Sequence, residues 1–310
     1  MGPTQEILTV EYALGIDLGG SSVKVVTVTR DGRTLAKENV PFNPEAEMEW
    51  AHKIKQIVAN TEKAQGESAR WIGVSAPGFA AHDGRSIACM PGRLAGLVGL
   101  DWTTYLGFKN PIPVLNDAHA ALLGESWLGA ARSHKNVFML TLGTGVGGAA
   151  MVDGKLLRGE IGRGGHLGHI SLDPSGSPDV TGMPGSLEDA IGNCSIESRT
   201  KGRFKTTHDL IAAHLQKDPA ASAIWLESVH TLACGIGSLV NVLDPAAVII
   251  GGGIARCGPA LFGPLQAALD KVEWRPTGSR VKLLPAELGE FAGAYGAASA
   301  ALSAHAIGPK

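Results

Sequence analysis

The sequence predicts an α/β fold built from two related domains. Leu14–Val28 has the pattern of a strand, a glycine turn and a second strand, and Met139–Val152 repeats that pattern later in the chain. Both copies place a small polar residue, Asp17 or Thr141, at the end of the first strand. Helical and strand patterns alternate in the segments that follow each copy. A distant repeat of this kind is typical of two related α/β domains that face each other.

The first domain continues with a helix, two buried strands and a second helix. Apolar residues at helical spacing predict a helix over Pro44–Gln65. Trp71–Ser75 and Ile112–Leu115 are short apolar runs that predict buried strands. Ala118–Leu128 consists of good helix formers. Two polar residues, Asn116 and Asp117, therefore lie between the second strand and the second helix. We place the crossing into the second domain near residue 117.

The second domain is predicted to contain a long helix, a buried strand and a further helix. Ala221–Val242 is rich in apolar residues and ends shortly before a proline, which cannot continue a helix. Ala247–Ile250 is an apolar run that ends in three glycines, which indicates a buried strand. Pro259–Val272 and the C-terminal Ala292–Ala306 have helical patterns. No flexible linker is predicted.

Composition excludes several classes of protein. The chain has 310 residues, 44% hydrophobic content and a net charge of −2, and no basic run is long enough for a nucleic-acid patch. Aromatic content is 5%, which argues against a base-stacking surface. The four cysteines form no CxxC pair, so they indicate no disulfide framework. Without a signal-peptide pattern or an apolar run of about 20 residues, we expect a cytoplasmic protein with no membrane partner.

Glycine clusters at the ends of apolar runs are the main functional signal. A strand–glycine–strand turn exposes several backbone N–H groups in one direction, and such a nest binds phosphate oxygens. Ordinary hairpin turns are the alternative, but two matched turns and a third cluster favour a nucleotide site that is neither a Walker A loop nor a Rossmann motif. The residues expected to bind the nucleotide are Asp17, Gly19, Gly20, Ser21, Ser22, Lys24, Gly143, Thr144, Gly145, Gly251, Gly252 and Gly253.

Two acidic positions have candidate chemical roles. Asp17 could hold Mg²⁺, usually through water, because Mg²⁺ prefers oxygen ligands and keeps several waters. Asp117 follows a strand and begins a helix, where a carboxylate could accept the proton of an attacking hydroxyl group. Asn116 beside it could hydrogen-bond a substrate. For Asn116 and Asp117, the alternative is a helix N-cap, a position that Asn and Asp both favour.

Six segments match one family as a set. They are GIDLGGSSVKV at Gly15–Val25, PVLNDAHAALLGE at Pro113–Glu125, LGTGVGGAAMVDGKLLRG at Leu142–Gly159, GGHLGH at Gly164–His169, NVLDPAAVIIGGGI at Asn241–Ile254 and LGEFAGAYGAAS at Leu288–Ser299. Together they resemble the ROK family of bacterial sugar kinases, within the actin/hexokinase-like superfamily. The resemblance implies two ribonuclease H-like α/β domains with a cleft between them. Because the C-terminal helix would return to the first domain, the domains would be residues 1–117 with 293–310, and residues 118–292.

The resemblance also implies roles for the candidate residues. Asp117 would be the general base, and ATP with Mg²⁺ would occupy the glycine turns, with the third glycine cluster near the adenosine. The implied substrate-binding residues are Asn116, His166, His169, Glu188 and Gly78. Family relatives are often dimers, so we expect a homodimer whose partners are a sugar and ATP.

The chain departs from the family pattern in its sugar motif. The family usually has Glu-x-Gly-His, and here the motif is His166-Leu167-Gly168-His169. A glutamate accepts hydrogen bonds from sugar hydroxyls, whereas a neutral histidine offers one donor and one acceptor. Two hypotheses stay open: the chain binds a different sugar, such as another epimer or a substituted or anionic sugar, or His166 tolerates the usual one with little effect or weak activity.

Two further departures concern zinc and a basic side chain. Many relatives carry CxCGxxGCxE, whose cysteines bind zinc with the motif histidine, but here Asp179, Thr181 and Ser186 stand at the cysteine positions of DVTGMPGSLE. Thr and Ser are poor zinc ligands, so we expect no structural zinc. In the segment Cys89–Trp102, Arg93 stands where the family lines its sugar site; it could reach an anionic substrate group, or be solvated.

The sequence therefore predicts an ATP-dependent sugar kinase of glucokinase type. The alternative is a catalytically weak or inactive sugar-binding or regulatory member of the family. Some relatives are repressors with a DNA-binding module ahead of the same core, and the residues before the first strand are too few for one. A polyphosphate donor would call for a basic channel, and no concentrated basic run is present.

Overall fold

The computed structural model describes residues 10–90 and 92–304. In those ranges the strands are β1 (Tyr12–Leu18), β2 (Ser22–Thr29), β3 (Thr34–Pro41), β4 (Trp71–Ala76), β5 (Phe79–Ala80), β6 (Ile87–Cys89), β7 (Val114–Asn116), β8 (Val137–Leu142), β9 (Val146–Val152), β10 (Lys155–Leu156), β11 (Ala247–Gly251) and β12 (Lys282–Pro285). The α-helices are α1 (Glu49–Gln65), α2 (Trp102–Leu106), α3 (Asp117–Leu128), α4 (Leu187–Ile191), α5 (Ile196–Arg199), α6 (Thr207–Leu215), α7 (Pro219–Leu243), α8 (Pro259–Val272) and α9 (Ala292–Ala304).

Two five-stranded sheets share one topology. Their strand orders are β3-β2-β1-β4-β7 and β10-β9-β8-β11-β12. In each sheet the first two pairings in that order are antiparallel and the last two are parallel. The strand–glycine–strand repeat seen in the sequence is therefore the central hairpin of each sheet, β1–β2 in one and β8–β9 in the other, and the predicted α/β fold of two related domains is confirmed.

The chain separates into two compact units. The first unit contains the described residues up to Leu128, Glu160–Gly162 and the described residues from Glu290 onward; the second contains Gly129–Gly159 and Arg163–Gly289. The sequence placed the crossing near residue 117, but α3 belongs with the first unit. This helix belongs there because it packs on α9: the two backbones approach so closely that a Cβ on Gly296 would overlap the carbonyl oxygen of Ala120.

The first unit has an apolar core between its sheet and α1. The ring centroids of Trp50 and Trp102 lie 5.7 Å apart at its centre, and both side chains are fully buried. The predicted helix over Pro44–Gln65 starts only at Glu49, so the predicted beginning was wrong. Met48 before it has φ 48°, a left-handed conformation that ends regular helix geometry, and Asn43 instead organises a turn by accepting from the Glu45 N–H group at 3.1 Å.

The helix α9 also packs against β1 and β4 of the first sheet, and it approaches their backbones most closely at two glycines. Gly15 and Gly73 lie opposite each other in these strands. A Cβ on Gly73 would overlap the carbonyl oxygen of Ala297, and one on Gly15 would overlap that of Ala294. The sequence therefore uses glycine here for close approach of a helix to a strand rather than for a turn. The predicted C-terminal helix is confirmed as far as Ala304; its last two predicted residues lie outside the described residues.

The second unit has its own core around α7. Trp225, Leu232 and Ile236 of this helix are fully buried against strands and helices that include β11 and α8. By length and composition α7 could also cross a membrane, and half of its most apolar stretch is buried in the unit. Burial of this kind is what the core helix of a two-layer α/β unit requires.

Candidate functional site

The first glycine turn joins β1 to β2 and lies beside a carboxylate. Its backbone closes through a hydrogen bond from the Gly19 N–H group to the Ser22 carbonyl at 2.9 Å, while Gly20 and Ser21 are exposed. Asp17 is the second-last residue of β1, and Lys24 lies opposite it on β2. The predicted residues of this turn are therefore adjacent, with an anion and a cation on the strands that carry it.

Asp17 is held in a partly buried position. Its Oδ1 accepts a hydrogen bond from the Ser75 hydroxyl on β4 at 2.7 Å. The pKa of Asp17 is raised from its usual 3.8 to about 6, mainly by burial and also by the negative charge of Asp117, while the Ser75 hydrogen bond and the Lys24 charge limit the rise. A nearby cation would stabilise the ionised form of such a partly buried carboxyl group. Asp17 therefore fits a hydrated Mg²⁺, both in its negative charge and as an oxygen ligand.

The two polar residues where β7 meets α3, Asn116 and Asp117, differ in burial. Asn116 is 5% exposed, and its Oδ1 accepts from the N–H groups of Ala118 at 3.0 Å and His119 at 3.3 Å. It is thus the N-cap of α3, as the structural alternative predicted. Asp117, the first residue of α3, is exposed. The fold fixes Asn116 and leaves the Asp117 carboxylate accessible.

Gly78 and Arg93 complete the predicted residues of the first unit. The Asn116 side-chain amide donates to the Gly78 carbonyl at 2.9 Å, so these two predicted substrate-binding residues are in contact. Arg93 is exposed, and its Nη1 lies 4.0 Å from the position that a Cβ on Gly20 would occupy. Its guanidinium therefore lies beside the first glycine turn.

The second glycine turn joins β8 to β9 and is anchored by neighbouring segments. The Asn193 and Cys194 N–H groups donate to the carbonyls of Gly143 at 3.0 Å and Thr144 at 2.7 Å. On its other side, the Val146 N–H group donates to Glu188 Oε2 at 2.9 Å. A Cβ on Gly145 would overlap that oxygen, so the turn can rest on the carboxylate only with glycine at this position. The turn is therefore held by hydrogen bonds on two sides.

A cavity of about 220 Å³ lies where the second and third glycine clusters meet. The predicted nucleotide-binding residues that line it are Gly143, Thr144 and Gly253. Gly251 ends β11, and Gly252 packs against Leu142, so neither lines the cavity. A Cβ on Gly143 would meet nothing within 4 Å, which leaves the turn open to a ligand on this side.

Four other residues line this cavity, and sequence reasoning missed them. They are Asn193, Thr206, His208 and Ile254. Asn193 Oδ1 accepts from the Thr207 N–H group at 2.7 Å, which fixes the start of α6 next to the glycine turn. Thr206 caps α6 by accepting from the Asp209 N–H group at 3.1 Å. The spacing of Thr206 and Asp209 was a visible helix-start signal, but nothing local indicated that this helix start meets Gly143.

Among the predicted sugar-binding residues, His169 and Glu188 are brought together. His169 ends a short 3-10 turn that packs closely on β9, because a Cβ on Gly168 would overlap the Val146 carbonyl oxygen. Glu188 lies in the first turn of α4 and is 8% exposed. Ligand-type atoms of His169, Asp179 and Glu188 all lie within 4.8 Å of one another. One Glu188 oxygen already accepts from the Val146 backbone, so the fold uses part of this carboxylate.

The unusual residue of the motif, His166, precedes that 3-10 turn. Its Nδ1 lies 3.1 Å from the Arg163 carbonyl oxygen. A carbonyl oxygen only accepts, so Nδ1 carries the proton in this contact. In its neutral form the ring of His166 therefore has its acceptor at Nε2.

The sequence and the fold are both similar to those of known proteins. The ROK family profile matches residues 13–304. A glucokinase from Thermotoga maritima is 32% identical and aligns over 92% of this chain and 96% of its own length. The ROK hexokinase of Thermus thermophilus has a TM-score of 0.84 at 30% identity, covering 95% of this chain and 99% of that one. A ROK family glucokinase from Streptomyces griseus, solved with glucose and AMPPNP, has a TM-score of 0.73 at 26% identity, covering 94% and 99%.

Proposed function

The chain belongs to the ROK family, and we propose that it transfers a phosphoryl group from ATP to a hydroxyl of a hexose or hexose derivative, with Asp117 as the general base. Relatives of similar length are glucokinases and a hexokinase, which supports a sugar kinase. The relative from Streptomyces griseus was solved with an ATP analogue and glucose, which supports these two substrate classes.

The observation that carries the proposal is the contrast between Asn116 and Asp117. Asn116 is buried and committed to the α3 N-cap and Gly78, whereas Asp117 is exposed at the helix start, where its Oδ1 accepts from the Ala118 N–H group at 2.8 Å. A general base must reach the hydroxyl proton of its substrate and must be held in place while it does so. The exposure of Asp117 and its position at the start of α3 support this role.

The remaining residues of each unit would bind the two substrates. In the first unit, Asp17 would hold Mg²⁺ through water near the first glycine turn. A bound Mg²⁺ would neutralise charge on the phosphoryl group that is transferred. In the second unit, the Gly143 N–H group closes the turn on the Gly145 carbonyl at 2.9 Å, and the N–H groups of Thr144 and Gly145 would bind phosphate oxygens. The cavity beside Gly253 would take the nucleoside. Asp117 would accept the proton as the sugar oxygen attacks.

For the sugar, the second unit offers His169, Glu188 and His166. Glu188 would accept from a hydroxyl, and a neutral His166 ring would accept at Nε2 because its Nδ1 is held by Arg163. A glutamate at position 166 would offer two acceptor oxygens, so this chain has less acceptor capacity there. The panel of test sugars must therefore extend beyond glucose to other epimers, amino and N-acetyl sugars and sugar acids.

The test is a coupled ADP-release assay over that panel with wild type and Asp117→Asn. The amide keeps the size of the carboxylate but cannot accept a proton, so we expect sugar binding to persist and kcat to fall by about 10²–10⁴-fold, the usual contribution of general-base catalysis. Sugar binding is measured separately by calorimetry.

Asp153→Asn is the matched control, because Asp153 is also exposed and lies in a turn of the second unit. It should leave kcat unchanged. An Asp117→Asn enzyme as fast as wild type would refute the assignment of the base. Sugar binding without ADP release from wild type on any member of the panel would instead favour the regulatory alternative.

A further inference from the structure

The loop before α4 is closed by hydrogen bonds at the positions where the family pattern has metal ligands. Asp179 lies in this loop, and only 1% of its side chain is exposed. Its Oδ2 lies 2.8 Å from Nδ1 of His169. Its Oδ1 accepts from the Thr181 N–H group at 2.8 Å, the Thr181 hydroxyl at 2.7 Å and the Met183 N–H group at 3.1 Å. Both oxygens of one buried carboxylate are thus occupied by donors of the protein.

The donor set does not fit a structural zinc ion. Of the three residues at the family's cysteine positions, Thr181 donates to Asp179, and Ser186 accepts from the Asp189 N–H group at 3.2 Å as the N-cap of α4. Neither hydroxyl is a good zinc ligand. The remaining oxygen and nitrogen groups are Asp179, His169 and Glu188, and the contacts that they make are those of a hydrogen-bonded network.

Asp179 is ionised in this network. Burial alone would raise the pKa of Asp179, but the hydrogen bonds from Thr181 and His169 outweigh burial and hold the pKa well below its usual range. An ionised carboxylate only accepts hydrogen bonds, so the proton between Asp179 and His169 belongs to Nδ1. In a neutral His169 ring the lone pair is then on Nε2.

We propose that Asp179 is a positioning residue for the sugar: it replaces a metal ion in orienting His169 and fixes the tautomer in which Nε2 accepts a hydrogen bond from a substrate hydroxyl. The inference rests on the proposed function, because its substrate is the sugar. To that function it adds the role of Asp179, the tautomer of His169 and the expectation that no metal ion is needed to orient this histidine. Metal-bound histidines in general have their orientation and tautomer set by the group on the other nitrogen, and a carboxylate does the same work here.

Asp179→Asn is the decisive variant, because the amide has the same shape and only one acceptor oxygen. Three donors converge on the Oδ1 side, so the amide oxygen should stay there and the NH₂ group should face His169. The ring must then accept at Nδ1 and carry its proton on Nε2. The substitution therefore preserves the loop and inverts the tautomer of His169.

The first readout is ¹⁵N NMR of histidine-labelled protein, with the His169 signals assigned by difference from His169→Gln. We expect the Nδ1-protonated tautomer in wild type and in Asp173→Asn, a control on an exposed aspartate that caps a turn earlier in the segment. In Asp179→Asn we expect the Nε2-protonated tautomer. The same tautomer in wild type and Asp179→Asn would overturn the proposal, and this readout does not require turnover.

The second readout is steady-state kinetics on the sugar found by the panel. Loss of one hydrogen bond predicts a rise of about tenfold in the KM for sugar, with the KM for ATP unchanged and kcat reduced less than the KM rises. Thr181→Val removes a donor to Asp179 without touching His169 and should leave all three constants near wild type. A loss of thermal stability shared by both variants, with no selective effect on the KM for sugar, would reduce Asp179 to a structural role.

The third readout is the metal content of purified wild type. We expect no stoichiometric zinc and a melting temperature that a chelator does not change. One zinc ion per chain, lost on chelation together with stability, would overturn the proposal and assign His169, Asp179 and Glu188 to a metal site. A chain that shows the expected tautomers but phosphorylates no sugar would refute the proposed function alone.

Discussion

The two units have the same sheet and use matching positions differently. In the first unit, Asp17 on β1 pairs in register with Ser75 on β4. In the second, the corresponding residues of β8 and β11 are Thr141 and Gly251. The first unit thus has a hydrogen-bonded carboxylate where the second has a hydroxyl and a glycine. The duplicated fold supplies the same strand ends twice, and the side chains at those ends place the charge in the first unit.

Glycine also has different uses in the two units. In the first, Gly15 and Gly73 allow α9 to contact two central strands directly. In the second, α7 contains Gly235 and Gly237, whose neighbours are side chains at 3.3 Å and 3.5 Å. Backbone cannot move aside as a side chain can, so the packing of α9 on the first sheet depends on glycine, whereas the packing of α7 in the second unit does not.

The largest effect that this comparison predicts is on folding of the first unit. Gly73→Ala would place a Cβ against the Ala297 backbone. We expect a loss of about 4 kcal/mol or more, or no folded protein, because neither the strand nor the helix can yield locally. Gly237→Ala meets only ordinary contacts and removes the entropic cost of glycine in a helix, so we expect a gain of up to about 1 kcal/mol.

Denaturant unfolding followed by circular dichroism measures both variants. Opposite signs for the two substitutions would support the difference in packing. A Gly73→Ala protein as stable as wild type would show that α9 is free to move away from the sheet, and the comparison between the units would fail at this point.

The second prediction concerns the charge that distinguishes Asp17 from Thr141. Folding raises the pKa of Asp17 from 3.8 to about 6, so between these values the folded protein binds a proton that the unfolded chain releases. Stability therefore falls as pH rises through this window, and above it the ionised group costs up to about 3 kcal/mol. Asp17→Asn keeps an acceptor for Ser75 without the charge, and should be more stable than wild type at pH 7 by up to that amount.

The same substitution that stabilises the protein should lower its catalytic efficiency. Without the carboxylate that would hold Mg²⁺, we expect kcat/KM for ATP to fall by at least about 100-fold in Asp17→Asn. Thermal melts from pH 3 to 8 and the ADP-release assay measure the two effects. The stability gain should shrink as pH falls and vanish near about pH 3, where Asp17 is protonated in both the folded and the unfolded state of wild type. Thr141→Asn, the matched change in the second unit, removes no charge and should show no gain that depends on pH; a gain equal to that of Asp17→Asn would contradict the explanation.

The sequence was sufficient to predict the features that are local or repeated. The strand–glycine–strand repeat predicted both sheet hairpins because alternation and glycine turns are encoded over a few residues. The start of α1 was predicted too early because helical spacing continues back to Pro44, while the left-handed conformation of Met48 is set by the surrounding turn. The crossing between the units was placed too early because the contact of α3 with α9 joins distant parts of the chain.

The residues of the candidate site also differ in whether a local sequence pattern indicates them. Asp17 and Asn116-Asp117 were found because each lies at the end of a strand pattern. Asp179 was noted only as a lost cysteine position, since its hydrogen bond to His169 depends on the path of the loop between them. Asn193 and His208 carry no local motif and join the glycine cavity only through tertiary packing.

The smallest predicted effect tests whether the second unit provides the cavity for the nucleoside. His208 lies in the first turn of α6, is exposed and lines the cavity beside Gly143 and Gly253. Contact of its ring with a nucleoside would contribute about 1 kcal/mol, so His208→Ala should raise the KM for ATP about fivefold and leave the KM for sugar unchanged. His214→Ala is the control, since this histidine of the same helix pairs with Ser222 at 2.9 Å. If His208→Ala raised only the KM for sugar, the cavity would belong to the sugar site, and its assignment to the nucleoside would be refuted.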